Sequence, residues 1–160
     1  SMARASKYAA ATMTVTLTEA VTLNSKNYGS TQSFTIASIA NVNRRIITVT
    51  TTEATIMTFS TAMAAGQSIP AKMQYMRFTN LDDTNHIVLT FANENDDEVA
   101  IKLDAGKSLM IAGDNSGGFA DMLDAIDGTG LSLSLGDMKS VTADADTGSC
   151  DMELFTAEIA

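Results

Sequence analysis

The chain has few of the residues that build disulfides, metal sites or stacking platforms. Its 160 residues include one cysteine, one histidine, one proline, three tyrosines and no tryptophan. One cysteine cannot form an internal disulfide, and one Cys with one His cannot complete a tetrahedral zinc site. The scarcity of aromatic rings removes the usual platforms for sugars and single-stranded nucleic acid. We therefore expect a fold held by its own hydrophobic core, without a cofactor.

Basic residues and long apolar runs are also scarce. Lys and Arg number 10 against 19 Asp and Glu, which gives a formal net charge of −9 and a pI of about 4.3. Such a chain is poorly suited to neutralise phosphates, so neither nucleic acid nor an anionic membrane is an expected partner. No apolar run approaches the ~18 residues of a membrane helix, and no signal-peptide core is found. We expect a soluble protein that is not secreted.

The charges are distributed unevenly along the chain. Residues 1–79 contain seven bases and two acids, whereas residues 80–160 contain three bases and seventeen acids. Such an asymmetry could orient copies of the chain head to tail, through an attraction that salt would weaken. The alternative explanation is that the acidic loops only keep the protein in solution.

Alternating apolar and polar residues predict strands along most of the chain. From residue 12 to residue 18, apolar side chains alternate strictly with threonines, which is typical of a half-buried strand. The clearest hairpin joins 87–91 to 99–103 through a polar stretch, and residues 24–30 predict a turn. Further predicted strands lie at 33–39, 45–51, 55–59, 73–79, 108–111, 131–135 and 150–154.

One short segment is predicted to be helical. Apolar residues recur at intervals of three and four over 119–126. With about nine to eleven strands and at most this one helix, the sequence predicts an all-β protein. Its architecture is expected to be a two-sheet β-sandwich or jelly roll, with a closed barrel as the alternative. We expect a single domain at 11–160 and a flexible arm at 1–10, whose Ser1 is interpreted as a cloning remnant.

No motif identifies an active site, and we expect a protein that is not an enzyme. The segment 66–70 lacks the last glycine of a nucleophile elbow and the strand-to-helix turn that the elbow needs. Residues 93–104 place oxygen-bearing side chains at several positions of a calcium loop, but Glu98 stands where the loop needs glycine. His86 is expected in a turn, and Cys150 is expected to be a buried, inert thiol.

Two polar loops are candidate recognition surfaces. The acids of the first loop could also hold an incidental cation, although a solvated hairpin tip is the favoured interpretation. The candidate residues are Asn93, Glu94, Asn95, Asp96, Asp97 and Glu98 in the first loop, and Asp114 and Asn115 in the glycine-rich loop at 113–118.

Several segments resemble small structural proteins encoded by marine tailed phages. Residues 15–30 (VTLTEAVTLNSKNYGS) are similar to their opening strand, Leu-Asn-Gly-Lys-like turn and Tyr-Gly pair, with Ser25 where glycine is expected. The block that contains YMRFTNLD, IVL and VAIKLDAGKSLMI resembles a second region of those proteins. Residues 143–155 (ADADTGSCDMELF) are similar to their final acidic-then-apolar strand. Together the segments cover about half of the chain.

The resemblance implies a non-enzymatic virion component, either a capsid decoration protein or a tail-associated protein, made in the host cytoplasm. We expect a homo-oligomer, with a trimer favoured, that contacts other virion proteins. The positive N-terminal part would meet an acidic surface of a neighbour, with Arg4, Lys7, Arg44 and Arg45 as the candidate contacts. The alternative hypothesis is a receptor- or glycan-binding module of a virion, which would use the two polar loops.

Overall fold

The computed structural model describes residues 9–62, 65–114, 116–124 and 135–160. Eleven strands form most of the regular structure in these residues, and a 3₁₀ turn at Pro70–Lys72 precedes the sixth. No helix in the described part of the chain is long and apolar enough to cross a membrane. The strands are β1 (Ala11–Thr18), β2 (Thr22–Leu23), β3 (Lys26–Asn27), β4 (Thr31–Val49), β5 (Ala54–Thr58), β6 (Met73–Asn80), β7 (Ile87–Asn93), β8 (Glu98–Leu103), β9 (Ser108–Ala112), β10 (Met138–Ala145) and β11 (Cys150–Ile159).

Nine strands form two antiparallel sheets, with the orders β1-β4-β11-β6-β9 and β5-β10-β7-β8. Counted from β4, the first strand pairs with the last, the second with the second-last, and so on inward: β4 with β11, β5 with β10, β6 with β9, and β7 with β8. A chain that is paired in this way and rolled into two sheets is a jelly roll. The predicted all-β sandwich is therefore confirmed.

The main core lies between the two sheets. Phe78 of β6 meets Phe91 of β7 edge to face, with ring centroids 5.7 Å apart. Leu89 and Val141 of the second sheet face Met152 and Phe78 of the first within the same buried cluster. Burial of each such side chain contributes about 1.5–3 kcal/mol. The contact between the sheets is thus the chief source of stability.

The predicted hairpin is confirmed, because β7 and β8 pair in register from Ile87 with Leu103 to Phe91 with Val99. The sequence predicted two separate strands at 33–39 and 45–51. Both segments are extended, but they belong to one strand of 19 residues, β4. The polar residues between them remain in the strand because β1 pairs with its first half and β11 with its second half. Most strands in globular proteins are about 5–6 residues long.

The predicted helix is wrong over its described part. Residues 116–124 form turns, and the N–H of Phe119 donates to the distant carbonyl of Pro70 instead of to the preceding helical turn. Asp121 has a φ of 47°, outside the right-handed helical region. The apolar spacing here reflects burial of Phe119 in the core and not a helical face. The end of this segment, and residues 131–134 of another predicted strand, lie outside the described residues.

A long hairpin extends the first sheet beyond the jelly roll. This long hairpin (residues 11–37) consists of β1, the small β2–β3 ladder and the first half of β4. Its base packs on the outer face of the first sheet in a second, smaller apolar cluster. Its tip (residues 17–28) is exposed at every position. The second cluster comprises Met13, Val15, Ile36, Ile39, Tyr75, Phe155, Ala157 and Ile159.

A buried asparagine holds the loops at one end of the sandwich. Asn80 is fully buried, and its side-chain NH₂ donates to the carbonyls of Asn85 (2.9 Å) and Leu103 (3.1 Å). Its side-chain oxygen accepts the N–H of Asp82. Because buried polar groups need partners, one amide side chain here ties β6, the start of β7 and the end of β8 together.

Candidate functional site

The tip of the long hairpin exposes apolar side chains. Leu17, Val21, Leu23 and Tyr28 are 46–60% exposed, and Phe34 adds to the same hairpin just below the tip. Large apolar patches rimmed by polar residues mark interaction sites in many proteins. The hairpin tip is therefore a candidate contact surface.

The backbone of the tip is ordered without a partner. Asn24 and Ser25 both have positive φ (49° and 64°), the pattern of the two-residue turns that join β-hairpins. The N–H of Tyr28 donates to the carbonyl of Val21 at 2.9 Å, and the Lys26 ammonium lies 4.9 Å from the centroid of the Tyr28 ring. The predicted turn is confirmed. A preformed surface of this kind loses little entropy on binding.

An apolar cavity lies between the edge strands β8 and β9. Its volume is about 180 Å³. All of its lining residues belong to the acidic part of the chain, since residues 80–160 contain seventeen acids and three bases. The lining includes Phe91, Val99, Ile101, Ile111, Phe119 and Met138.

The predicted contact bases fall into two groups. Arg4 and Lys7 lie outside the described residues. Arg44 lies on the outer face of the first sheet, 3.1 Å from the Glu153 carboxylate, which Arg77 also contacts at 2.5 Å. Hydrogen bonds from Arg77 and Arg44 lower the pKa of the Glu153 carboxyl. Arg44 already has a partner within the chain, but its side chain is 70% exposed and open to a neighbour.

The acidic loop between β7 and β8 is organised from inside by Asn93. This side chain is fully buried, and its oxygen accepts the N–H groups of Asn95 and Asp97, each at 2.9 Å. Asp96 forms an ion pair with Lys139. Asn93 is thus a structural residue of the predicted recognition loop and not part of its surface. The exposed members of the loop are Glu94, Asn95, Asp96 and Glu98.

The glycine-rich loop is shaped by Asp114. Its carboxylate accepts the N–H groups of Gly117 (2.6 Å) and Ser116 (3.0 Å), and these hydrogen bonds lower the pKa of the carboxyl. Asn115 lies outside the described residues. Within the part of the chain that the structure describes, no group of three or more His, Cys, Asp or Glu side chains could hold a metal ion.

The single histidine and the single cysteine lie near one end of the sandwich. His86 Nδ1 is 3.7 Å from a carboxylate oxygen of Asp146. Cys150 is buried, as predicted, and burial raises the pKa of its thiol. A thiol that is buried and shifted toward the protonated form is a poor nucleophile.

A second cavity is polar and has a volume of about 260 Å³. It is lined by β4, β5, the segment around residue 67 and the C-terminal part of β11. Arg45 projects from β4 to this side and donates to the carbonyl of Ile56. The polar lining residues are Asn41, Asn43, Arg45, Gln67, Ser68, Thr156 and Glu158.

Glu158 gives this cavity its distinctive chemistry. Its side chain is 9% exposed, and one carboxyl oxygen, Oε1, accepts a hydrogen bond from the Ser68 hydroxyl at 3.0 Å. The other oxygen, Oε2, is buried and has no hydrogen-bond partner among the described residues. Burial raises the pKa of the Glu158 carboxyl.

A β-bulge places Gln74 beside Glu158 in the sheet. Met73 pairs with Glu158 and Tyr75 pairs with Ala157, so Gln74 is the extra residue of β6 at this point. Gln74 is fully buried, and both polar atoms of its side chain lack a hydrogen-bond partner in the described part of the chain. Two neighbouring positions thus carry buried polar groups that folding alone does not satisfy.

Sequence reasoning missed Glu158, although a signal was present. In β11 the inward-facing residues Cys150, Met152 and Leu154 alternate with polar ones, and the predicted strand ended at 154. The same alternation continues to Thr156 and Glu158, both of which are buried. Extending the period by two steps would have placed an acid on the inner face of the sheet.

Comparisons of the chain with protein-family models, with curated proteins and with solved structures found no match. Jelly rolls include viral capsid domains, lectin domains and cupins, and the fold alone does not choose among these functions. An assignment of function therefore depends on the hairpin tip and the two cavities.

Proposed function

We propose that this chain is a non-enzymatic structural protein of a virion that acts by assembling with copies of itself. The observation that carries the proposal is the tip of the long hairpin, where several exposed apolar side chains flank a preformed two-residue turn. The virion assignment is supported by the phage-like segments of the sequence and, by analogy of fold, by the jelly rolls of viral capsids. Capsid decoration and tail association are the two positions we propose.

The receiving surface is the apolar cavity of a second copy. Both surfaces are apolar, and the parts of the chain that contain them have opposite net charge. Residues 1–79, which include the tip, contain seven bases and two acids, whereas residues 80–160, which include the cavity lining, contain seventeen acids and three bases. Tip and cavity are different surfaces, so their contact is head-to-tail and closes into a ring when the rotation allows. A trimer would be the smallest ring of this kind beyond a dimer.

The experiment is a measurement of molar mass by light scattering after size exclusion, at roughly 50 mM and roughly 500 mM salt, between which the Debye length falls severalfold. We expect an oligomer for the wild type and a monomer for the double variant Leu23→Ser with Tyr28→Ser. The matched control is Val42→Ser with Ile46→Ser, two equally exposed residues of β4 outside the tip, which should leave the mass unchanged. A wild type that is monomeric at both salt concentrations would contradict the proposal.

The contribution of charge is tested separately. Reversal of the two N-terminal bases, Arg4→Glu with Lys7→Glu, should weaken the oligomer at low salt and have little effect at high salt. An oligomer that this variant leaves intact at low salt would remove those two bases from the contact. The proposed contact would then depend only on the apolar tip and the apolar cavity, which the double tip variant tests.

A second candidate function, receptor or glycan binding by a virion module, is favoured by a different observation. The polar cavity on the β4–β5 side of the sandwich is lined by Glu158, whose Oε2 has no hydrogen-bond partner among the described residues. Lectin domains also occur among jelly rolls. Because this cavity and the hairpin tip use different residues, one chain could both assemble and bind.

A further inference from the structure

The polar cavity contains a carboxyl group that the fold leaves incompletely satisfied. Glu158 lines the cavity, is nine-tenths buried, and has Oε2 without a hydrogen-bond partner among the described residues. Native proteins pair nearly all of their buried polar atoms, so a buried orphan oxygen beside a cavity needs an explanation. A ligand that supplies the missing hydrogen bond is one such explanation, and because Oε2 has no surface open to water, it requires the carboxyl to turn toward the cavity.

The lining groups define what such a ligand must offer. Arg45 contributes hydrogen-bond donors, Glu158 contributes acceptors, and hydroxyl and amide side chains on Ser68, Thr156 and Asn43 contribute both. The guanidinium disfavours a cation, and the carboxyl group disfavours an anion. The complementary molecule is therefore neutral and carries several groups that both donate and accept, as vicinal hydroxyls do.

The volume and the apolar part of the cavity limit the class of ligand further. About 260 Å³ is below the range of roughly 300–1,000 Å³ that drug-sized ligands occupy, so the ligand is small. Ile56, Met57 and Leu154 form an apolar part of the lining. A sugar ring has both features, because its C–H face is apolar and its hydroxyl edge is polar. The ring can thus contact the apolar wall while its hydroxyls reach the polar groups.

We propose that the polar cavity binds one neutral, polyhydroxylated ring, a monosaccharide either free or at the end of a glycan, with Glu158 and Ser68 as its central contacts. One ring hydroxyl binds the Glu158 carboxyl once that group turns toward the cavity, and a neighbouring hydroxyl reaches the Arg45 side of the cavity. The described lining contains no aromatic ring, so affinity depends on hydrogen bonds and we expect it to be in the millimolar range.

The test is titration of the ¹⁵N-labelled protein with glucose, galactose, mannose and N-acetylglucosamine, each up to about 50 mM, which would detect millimolar affinity. At least one sugar should shift the backbone resonances of Ser68, Thr156 and Glu158 in a saturable way. The variants Glu158→Ala and Ser68→Ala should each reduce the affinity for that sugar at least tenfold. Glu94→Ala, in the exposed acidic loop, should leave the affinity unchanged. Circular dichroism verifies that each variant is folded.

Two results would overturn the inference. The first is that none of the four sugars produces saturable shifts at the cavity, and the second is that a sugar binds equally well to both cavity variants. Comparison of the best monosaccharide with a soluble oligosaccharide that ends in the same sugar distinguishes a free ligand from a glycan terminus. The inference does not depend on self-assembly, because the double hairpin-tip variant keeps the cavity and should give the same titration.

Discussion

The apolar residues of the jelly roll are buried, whereas those at the tip of the long hairpin are exposed. Both are built from strands in which apolar and polar residues alternate, and β1 has a more regular alternation than most strands of the jelly roll. In the jelly roll a second sheet covers the apolar face, so that Phe78 and Val141 have no exposed surface. At the hairpin tip nothing in the described chain covers Leu23 or Tyr28. Alternation thus specifies which face of a strand is apolar, but it does not specify what covers that face.

The largest effect that separates the two regions is expected from Phe78→Ala. This change removes a ring that packs on Phe91 in the core, and it should lower the free energy of unfolding by about 3–5 kcal/mol. The matched change in the hairpin, Phe34→Ala, should cost less than about 1 kcal/mol because that ring is partly in water. Urea unfolding measures both variants. Similar losses would mean that the hairpin is as much a part of the core as β6.

Asn80→Ala should have the next largest effect. The carbonyls of Asn85 and Leu103 and the N–H of Asp82 would lose their partner, at a cost of about 1–3 kcal/mol for each group that stays buried and unpaired. Asn95→Ala, on the exposed acidic loop, is the control and should change the melting temperature little. If the two variants melted at the same temperature, water would be replacing the asparagine side chain without loss.

Glu158→Gln should change how stability depends on pH. Burial raises the pKa of Glu158 in the fold, although the Ser68 hydroxyl and the charge of Lys72 act in the opposite direction. The folded carboxyl therefore keeps its proton to higher pH than the unfolded one, and the wild type loses stability as pH rises from the unfolded pKa through the folded pKa. The amide cannot titrate, so the variant should show a flatter profile in urea midpoints.

A steeper decline of the Glu158→Gln variant than of the wild type as pH rises would contradict this account. Stability at pH 5 should stay within about 1 kcal/mol of the wild type, because the amide keeps the size of the side chain and can still accept from Ser68.

Glu153→Gln should show the opposite sign on the outer face of the same strand. Arg77 and Arg44 lower the pKa of Glu153, so its stabilising contribution is present above the unfolded pKa and is lost as pH falls through the folded pKa. The variant should therefore be less stable than the wild type at neutral pH and converge with it in acid. Salt should reduce the difference, because Arg44 lies largely in water. A difference that persists unchanged into acid would rule out this assignment.

The smallest change in stability is expected at the hairpin tip. Leu23→Ser with Tyr28→Ser should alter the free energy of unfolding of the monomer by about 0.5 kcal/mol or less, because both side chains are already exposed. The same variant should have the largest effect on molar mass. A large loss of monomer stability would instead make the tip a part of the folded core.

Local patterns predicted much of the fold because strands, turns and hairpins depend on neighbouring residues. The turn within residues 24–30 and the hairpin that joins 87–91 to 99–103 were both predicted in this way. The nested pairing of the jelly roll was not predicted, since the partner of β4 lies at the other end of the chain. The helix at 119–126 failed for a related reason: the apolar spacing around Phe119 serves contacts with distant residues.

The candidate sites were harder to predict than the strands. Arg44 was predicted to contact an acidic surface of a neighbour, and the structure places an acid of its own chain, Glu153, beside it, 109 residues away in sequence. The two cavities exist only where the two sheets meet, so no short stretch of sequence contains them. Glu158 could have been found by extending one alternation, whereas Gln74 depends on a bulge that sequence patterns do not reveal.

The length of β4 gives the molecule a mechanical property. Residues 31–36 of this strand pair with β1 in the long hairpin, residues 39–49 pair with β11 in the jelly roll, and Ser38 between them has a φ of 63°. Tension applied to the tip would travel along one continuous backbone into the interior of the first sheet. There the load would fall on the ladder between β4 and β11, which runs from Ile39 with Ile159 to Val49 with Cys150. A neighbour that binds the tip would thereby load the first sheet and not the hairpin alone.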